Sequence, residues 1–292
     1  MLPDGRRLHL QHGPIDLVVE AGGQRREVAA AYAQAEARFR RILGELVGEL
    51  AALRKPCGRG DADPRDLSPT GRRMVRAVRP HAGAFVTPMA AVAGAVADEI
   101  LAALRKGRRL ERAYVNNGGD IALYLQPGAR YTVGLATPTE AIRPPASCTI
   151  SHDMPVRGIA TSGRQGRSFS RGIADAVTVL ARDGATADAA ATLIANAVDI
   201  ADPAIRREAA ESLDPDSDLG KLTVTIAVGP LAAGAVAAAL DAGVAAARRM
   251  LDRGLIYGAV LLLQGRYRVV GAGSAISPAA LERPEALAGA AG

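Results

Sequence analysis

Apolar and polar positions alternate with a period of two over residues 8–21 and include a β-branched run at 15–19, which predicts an opening strand or hairpin closed by Gly22-Gly23. Over 27–53 the period lengthens to that of a helix, in an Ala/Glu/Arg/Leu segment that stops at Lys55-Pro56. A loop rich in Gly, Asp and Pro follows at 57–69, then a short helix over 70–78, irregular chain over 79–87 and a clear helix over 90–104 closed by Gly107. The middle third changes character. Short apolar runs at 113–115, 121–125 and 131–135, separated by Gly-rich turns, predict consecutive strands. Pro138, Pro144 and Pro145 mark a connecting loop, and further strands are expected at 148–151, 157–160 and 176–181. A helix over 186–198 takes Thr186 as its N-cap. After a Pro- and Asp-rich stretch at 202–220 come a strand over 222–228, an Ala-rich helix running from Gly229-Pro230 to Arg253 and Gly254, and a hairpin of 259–263 and 266–270 turning at Gln264-Gly265.

Strands joined by turns too short for crossovers, without regular βαβ alternation, define an α+β fold of mostly antiparallel sheet. The expected form is two closely fused lobes in one domain over 1–275, with no clear linker, the long helices at 27–53, 90–104 and 230–253 covering sheet faces. Residues 276–292 read as an Ala/Pro-rich, partly frayed tail, and no repeat of fixed period is present.

Composition narrows the chemistry. The chain has 292 residues, enough for one large domain; with no Trp and 3% aromatic residues its core must be small and aliphatic, and stacking surfaces for bases or flavin rings are scarce. The net charge of +6 comes from arginines spread in pairs along the chain, not from the basic tract that nucleic-acid binding favours, and a few such arginines suit a pyrophosphate equally well. Two cysteines, Cys57 and Cys148, make neither a disulfide framework nor a zinc spacing. The start has no apolar signal segment, and the longest apolar stretch, 231–247, is Ala- and Gly-rich with Asp241 inside it, so a cytoplasmic protein without a membrane span is expected.

Three motifs carry the candidate chemistry. Asn116-Asn117-Gly118-Gly119-Asp120 follows a strand, and its glycines permit a turn that aims N–H groups at an anion; the same residues also suit a plain β-turn with Asp120 bonded to its own backbone. Ala160-Thr161-Ser162-Gly163 ends another strand and leads into Arg164 and Arg167, a set of hydroxyls and guanidiniums fit for phosphate or for a solvated loop. Ser162 lacks the G-x-S-x-G surroundings of a hydrolase nucleophile. Asp188 and Thr192 lie four apart on a helix, so one face offers carboxylate and hydroxyl either to Mg²⁺ or to helix capping and a carbonyl back-bond. His152 beside Asp153, and His81, are loop histidines that could serve as a base or as structural residues; Asn117 and Asn196 are candidate site-lining groups.

In this order, with Val177-Thr178-Val179 between the second and third, the motifs resemble the ApbE superfamily, whose best-known members are FAD:protein FMN transferases. Gly94-Ala95-Val96-Ala97-Asp98 is similar to the family's A-K-G-Y-A-V-D helix start, and the resemblance spans roughly 85–200. It implies Mg²⁺ held by Asp188 and Thr192, and FAD bound by Asn116, Gly118, Gly119, Asp120, Thr161, Ser162, Gly163 and Arg167. It also implies FMN transfer to a hydroxyl of an acceptor protein, or FAD hydrolysis to FMN and AMP. The alternative is a flavin- or nucleotide-binding accessory protein in cofactor or sulfur metabolism. Partners would be the flavin nucleotide and an acceptor protein, a homo-oligomer being compatible and nucleic acid not indicated. Two departures stand out. Ala93 replaces the Lys of A-K-G, and the family's H-I-I-D-P-x-T-G is shortened to Gly172-Ile173-Ala174-Asp175, leaving Asp175 and His152 as candidate catalytic groups. The pattern is that of a divergent, cytoplasmic, uncharacterised (UPF-type) branch.

Overall fold

Alternation at the start of the chain yields a hairpin, strand β1 (Leu8–His12) turning at Gly13 into β2 (Ile15–Gly23), which buries Leu8, Leu10, Ile15, Leu17 and Val19. The computed structural model describes residues 1–58, 64–135, 146–271 and 276–277. Helix α1 (Arg25–Leu53) buries Ala31, Tyr32, Ala35, Phe39, Ile42 and Leu46 along one stripe, the mark of an amphipathic helix lying on a sheet. Helix α2 (Pro69–Val78) starts at Ser68, whose side chain accepts from the Gly71 N–H, with Pro69 in the first turn. Helix α3 (Val92–Arg105) is buried from Gly94 to Leu101 and again at Leu104.

Next come β3 (Leu110–Asn117), β4 (Asp120–Leu125), β5 (Arg130–Leu135), β6 (Ala146–Ser151), β7 (Gly158–Ser162) and β8 (Ala176–Ala181). Helix α4 (Gly184–Ala197) is buried on most sides. The remainder comprises β9 (Ile205–Ala209), the one-turn α5 (Ala210–Leu213), β10 (Thr223–Val228), α6 (Ala233–Asp252), the hairpin β11 (Gly258–Leu263) with β12 (Arg266–Gly271), and β13 (Ile276–Ser277).

One eight-stranded sheet, in the order β1-β2-β3-β4-β7-β8-β11-β12 and antiparallel at every pair, runs through the molecule. Helices cover one face in two clusters: α1, α2 and α3 over β1–β3, and α4 and α6 over β7, β8 and β11. The small sheet β13-β6-β5 covers part of the other face, where Leu123, Leu125, Cys148, Ile150 and Ile159 pack. The chain is thus α+β as expected, its two helix clusters lying on one shared sheet. No helix among the described residues is long and apolar enough to cross a membrane.

Several expectations shift. Asp183, not Thr186, caps α4: its backbone is extended (φ −153°) and its carboxylate accepts from the Thr186 N–H at 2.7 Å, so Thr186 is already inside the helix. Helix α6 begins at Ala233 because Gly229 is held outside it, its N–H donating to Ala204 O at 2.9 Å. The Asp-rich stretch conceals β9, whose burial is only partial and whose pattern is too polar to read as a strand. At the other end of the chain, β13 pairs with β6 inside the supposed tail, Ile276 opposite Cys148. The 138–145 loop and residues 278–292 lie outside the described residues.

Candidate active site at a crossing of two helices

Helices α3 and α4 run antiparallel across the sheet and touch through glycine. A Cβ on Gly94 would strike the Gly184 carbonyl, and one on Gly184 would come to 2.9 Å from the Gly94 carbonyl oxygen, so only glycine lets the backbones meet this closely. Each helix also lends a carboxylate to the other's start. Asp98 on α3 accepts from the Gly184 and Ala185 N–H groups at 2.9 and 2.8 Å, while Asp188 on α4 accepts from the Gly94 N–H at 3.0 Å. The first-turn amides of a helix have no intrahelical partners, and a carboxylate there is favoured by the dipole. The exchange therefore fixes both helices to each other.

The crossing sets Asp188 against the end of the sheet that carries the other motifs. In the β3–β4 turn Gly118 and Gly119 have φ of 65° and 114°, the left-handed values that a two-residue hairpin demands, and a Cβ on either would meet nothing within 4 Å, so the space before the turn is open. Asn116 Oδ1 accepts from the Gly119 N–H at 2.8 Å, and Asn117, buried, donates to Ala93 O at 3.1 Å, tying the turn to the start of α3. Because β4 pairs with β7, Asp120 lies beside the A-T-S-G segment and its carboxylate accepts from the Thr161 N–H at 3.3 Å. Thr161 and Thr178 hydroxyls are 2.9 Å apart across β7 and β8. Gly163 packs where a Cβ would come to 2.5 Å from Asp175 O, so its requirement is close packing as well as any ligand. Thr192 is half-buried one turn beyond Asp188, and Arg167 is exposed on the loop after β7.

Electrostatically this end is unusual. Burial, then the neighbouring Asp188 charge, pushes the Asp120 carboxyl well above the ordinary carboxylate range, against a weak opposing effect of the Thr161 N–H. Asp188 is likewise raised by burial, with backbone N–H groups of Gly94 and Ala93 opposing and Asp98 adding repulsion. The two titrate as a pair. No lysine or arginine contacts either carboxylate among the described residues. Asp98 is pushed up to about 7, by burial first and the Asp183 charge second. Two close carboxylates without a basic partner among the described residues are the kind of donor that suits a hard divalent cation.

The two candidate catalytic groups behave differently. Asp175 stands next to Gly163, but its carboxylate is engaged: Oδ1 takes Arg164 Nε and Nη2 at 3.0 and 2.6 Å, and Oδ2 takes the Gln264 N–H at 2.5 Å. That grip braces the loop after β7 against the β11–β12 turn. His152 is not brought to the motifs at all. Its Nδ1 lies 2.8 Å from Leu125 O, at the opposite end of β4 from Asp120, a strand length of ~17 Å at the usual rise. His81 is buried with its Nε2 unpartnered among the described residues, and burial holds it near 4, below its usual value. Asn196 Oδ1 accepts from the Arg171 N–H at 2.9 Å and so shapes the loop before Asp175.

Residues not singled out for the site are Asp98, Ala93 and Thr178. One signal for Asp98 was in the sequence: Gly94-Ala95-Val96-Ala97-Asp98 and Gly184-Ala185-Thr186-Ala187-Asp188 match at all but one position, and the matched Gly and Asp are those that exchange contacts.

A family model described as AbpE bacteria matches residues 1–269. The chain belongs to that family. Among curated relatives, the UPF0280 protein of Methanospirillum hungatei is 42% identical over 121 residues, 41% of this chain and 48% of that one. The UPF0280 protein of Methanopyrus kandleri is 39% identical over 157 residues, 52% of this chain and 60% of its own. The chain spans about half the length of the curated relatives it matches. Among solved structures, the ApbE protein of Thermotoga maritima superposes with a TM-score of 0.49 at 13% identity, covering 91% of this chain and 96% of that one. The flavin transferase ApbE of Vibrio cholerae gives 0.49 at 12% identity over 92% and 98%. This AbpE-family chain is thus similar to UPF0280 proteins over about half of its length.

Proposed function

We propose that the chain is an ApbE-like, Mg²⁺-dependent flavin-nucleotide enzyme that transfers FMN from FAD to a hydroxyl of an acceptor protein, or hydrolyses FAD to FMN and AMP. The observation that carries this reading is the buried Asp120/Asp188 pair, which has no basic partner among the described residues and lies beside the Gly118-Gly119 turn and the Thr161 strand end. Buried carboxylates without a counter-charge are costly, and a divalent cation with bound phosphate oxygens is the chemistry that offsets them.

Asp188 and Thr192 would hold the Mg²⁺, with Asp120 alongside. Bound there, the ion supplies neutralisation of the charge that develops on the pyrophosphate. The chain's own groups would bind and orient the nucleotide: the Thr161 and Ser162 hydroxyls and the amides of the Gly118-Gly119 turn at its polar oxygens, and Arg167 with a planar fork for a phosphate. Asp175 and Arg164 keep that loop in register.

The test is incubation of the purified protein with FAD and Mg²⁺, with and without acceptor proteins. AMP together with FMN, free or protein-bound, is expected, and the absence of both would overturn the proposal. Asp188→Ala should abolish the metal-dependent product. One observation favours the second reading, a flavin-nucleotide-binding accessory protein: of the two candidate bases, Asp175 is engaged in an ion pair and His152 is at the other end of the sheet. Flavin that co-purifies with the protein and is never turned over would favour that reading.

A further inference from the structure

At the end of the sheet opposite the carboxylate pair, a pocket of about 430 Å³ opens between the last two turns of α3, the end of β4, the turn carrying His152 and the β8–α4 junction. Its charge is the reverse of that at the carboxylate pair. Arg73, Arg105, Arg157 and Arg182 face it, against Asp98 and Asp183. Both aspartates are already committed to the amides that start α4, Asp98 to Gly184 and Ala185 and Asp183 to Thr186. Arg73 and Arg182 have carboxylate partners in Glu99 and Asp183, but Arg105 and Arg157 have none among the described residues.

Those two arginines are nonetheless held in place. The Arg105 guanidinium stacks on Tyr124, 3.7 Å from the ring centroid. Arg157 donates to the carbonyls of Met154, Val156 and His152 at 2.6, 2.6 and 2.7 Å, three of its five N–H groups. The two are close enough that Arg105, after burial, disfavours the charged form of Arg157. His152 gives Nδ1–H to Leu125 O, since a carbonyl can only accept, and its Nε2 has no protein partner among the described residues. Leu101, Ala102 and Leu123 add apolar wall.

We propose that this pocket is a second binding site, separate from the flavin-nucleotide site, that takes a small phosphate monoester: the phosphate between Arg105, Arg157 and His152, and the organic part against Leu101, Ala102 and Leu123. Arginines supply preorganised, charge-assisted donors for phosphate oxygens. The volume is that of a small-ligand site, larger than a bare phosphate needs.

The experiment is calorimetric titration of the full chain with phenyl phosphate and with inorganic phosphate. Saturable binding with unit stoichiometry is expected, phenyl phosphate tighter than phosphate because only it reaches the apolar wall. Arg105→Gln should weaken phenyl phosphate by about tenfold. Ala102→Glu, which alters an exposed wall position and leaves every arginine in place, should weaken it similarly. Asp188→Asn and saturating FAD should leave it unchanged, so failure here is distinct from failure of the flavin reading. No saturable binding at millimolar phenyl phosphate, binding that survives both pocket variants, or binding abolished by Asp188→Asn would each overturn the proposal.

Discussion

The two ends of the α3–α4 crossing are built from the same parts and carry opposite charge. At one end the start of α3 faces Asp188 and Asp120, with no basic side chain on either carboxylate. At the other, the start of α4 is satisfied by Asp98 and Asp183, and arginines without carboxylate partners crowd beyond them. The difference teaches how a helix start is spent. Two acids meet at each end: at the α4 start both serve as caps and Arg73 offsets their charge, whereas at the α3 start no basic side chain among the described residues offsets the pair, and that is the excess the proposed cation would balance.

The most severe way to break the comparison is to separate the helices. Gly94→Val would drive side-chain atoms into the Gly184 carbonyl and should cost ~3 kcal/mol, or prevent folding, in urea denaturation; retention of wild-type stability would refute the close crossing. Next comes the charge difference itself. Protons and Mg²⁺ compete for carboxylates whose values are raised, so the rise in Tm caused by Mg²⁺ should be larger at about pH 8 than at about pH 5 and should vanish in Asp188→Asn. Equal shifts at both pH values would count against a cation at this end.

Asp98 provides a finer test. Its folded value of about 7 stands above the ordinary 3.8, so the folded state keeps a proton that the unfolded chain has released, and stability falls as pH rises through that window. Asp98→Asn should shrink the loss of stability between about pH 5 and about pH 8 by on the order of 1 kcal/mol, and an unchanged profile would exclude Asp98 as its source. Smallest is Arg164→Gln, which releases a part-buried ion pair, with side chains 22% and 11% exposed. A cost of ~0.5 kcal/mol is expected in chemical denaturation; a loss of AMP formation in the FAD assay, at retained stability, would instead assign the pair a role at the nucleotide.

Legibility followed the range of the interactions. The β3–β4 turn was readable because positive φ at two consecutive residues selects glycine locally, as Gly118-Gly119 show. The site grouping of Asp120 with Thr161 was legible only through family resemblance, since it rests on β4 pairing with β7 across a long excursion that includes β5 and β6. His152 shows the opposite failure. It precedes Thr161 by nine residues, yet β7 is extended between them, and a strand carries its two ends to different edges of a sheet. The Asp183 cap was missed in favour of Thr186 because both residue types suit the role and only the backbone angle separates them.

By itself the sequence determined most of the elements, though not β9 or β13, along with the antiparallel α+β class, the glycine turns and the carboxylate and hydroxyl of Asp188 and Thr192 on one helical face, because each depends on periodicity or on local backbone preference. Tertiary structure decided the charge of each end. It is the antiparallel crossing at Gly94 and Gly184 that places Asp188 beside Asp120, turns Asp98 into a cap and leaves Arg105 and Arg157 without acids. Burial and proximity between residues distant in the chain set those electrostatics, and neither can be read from spacing.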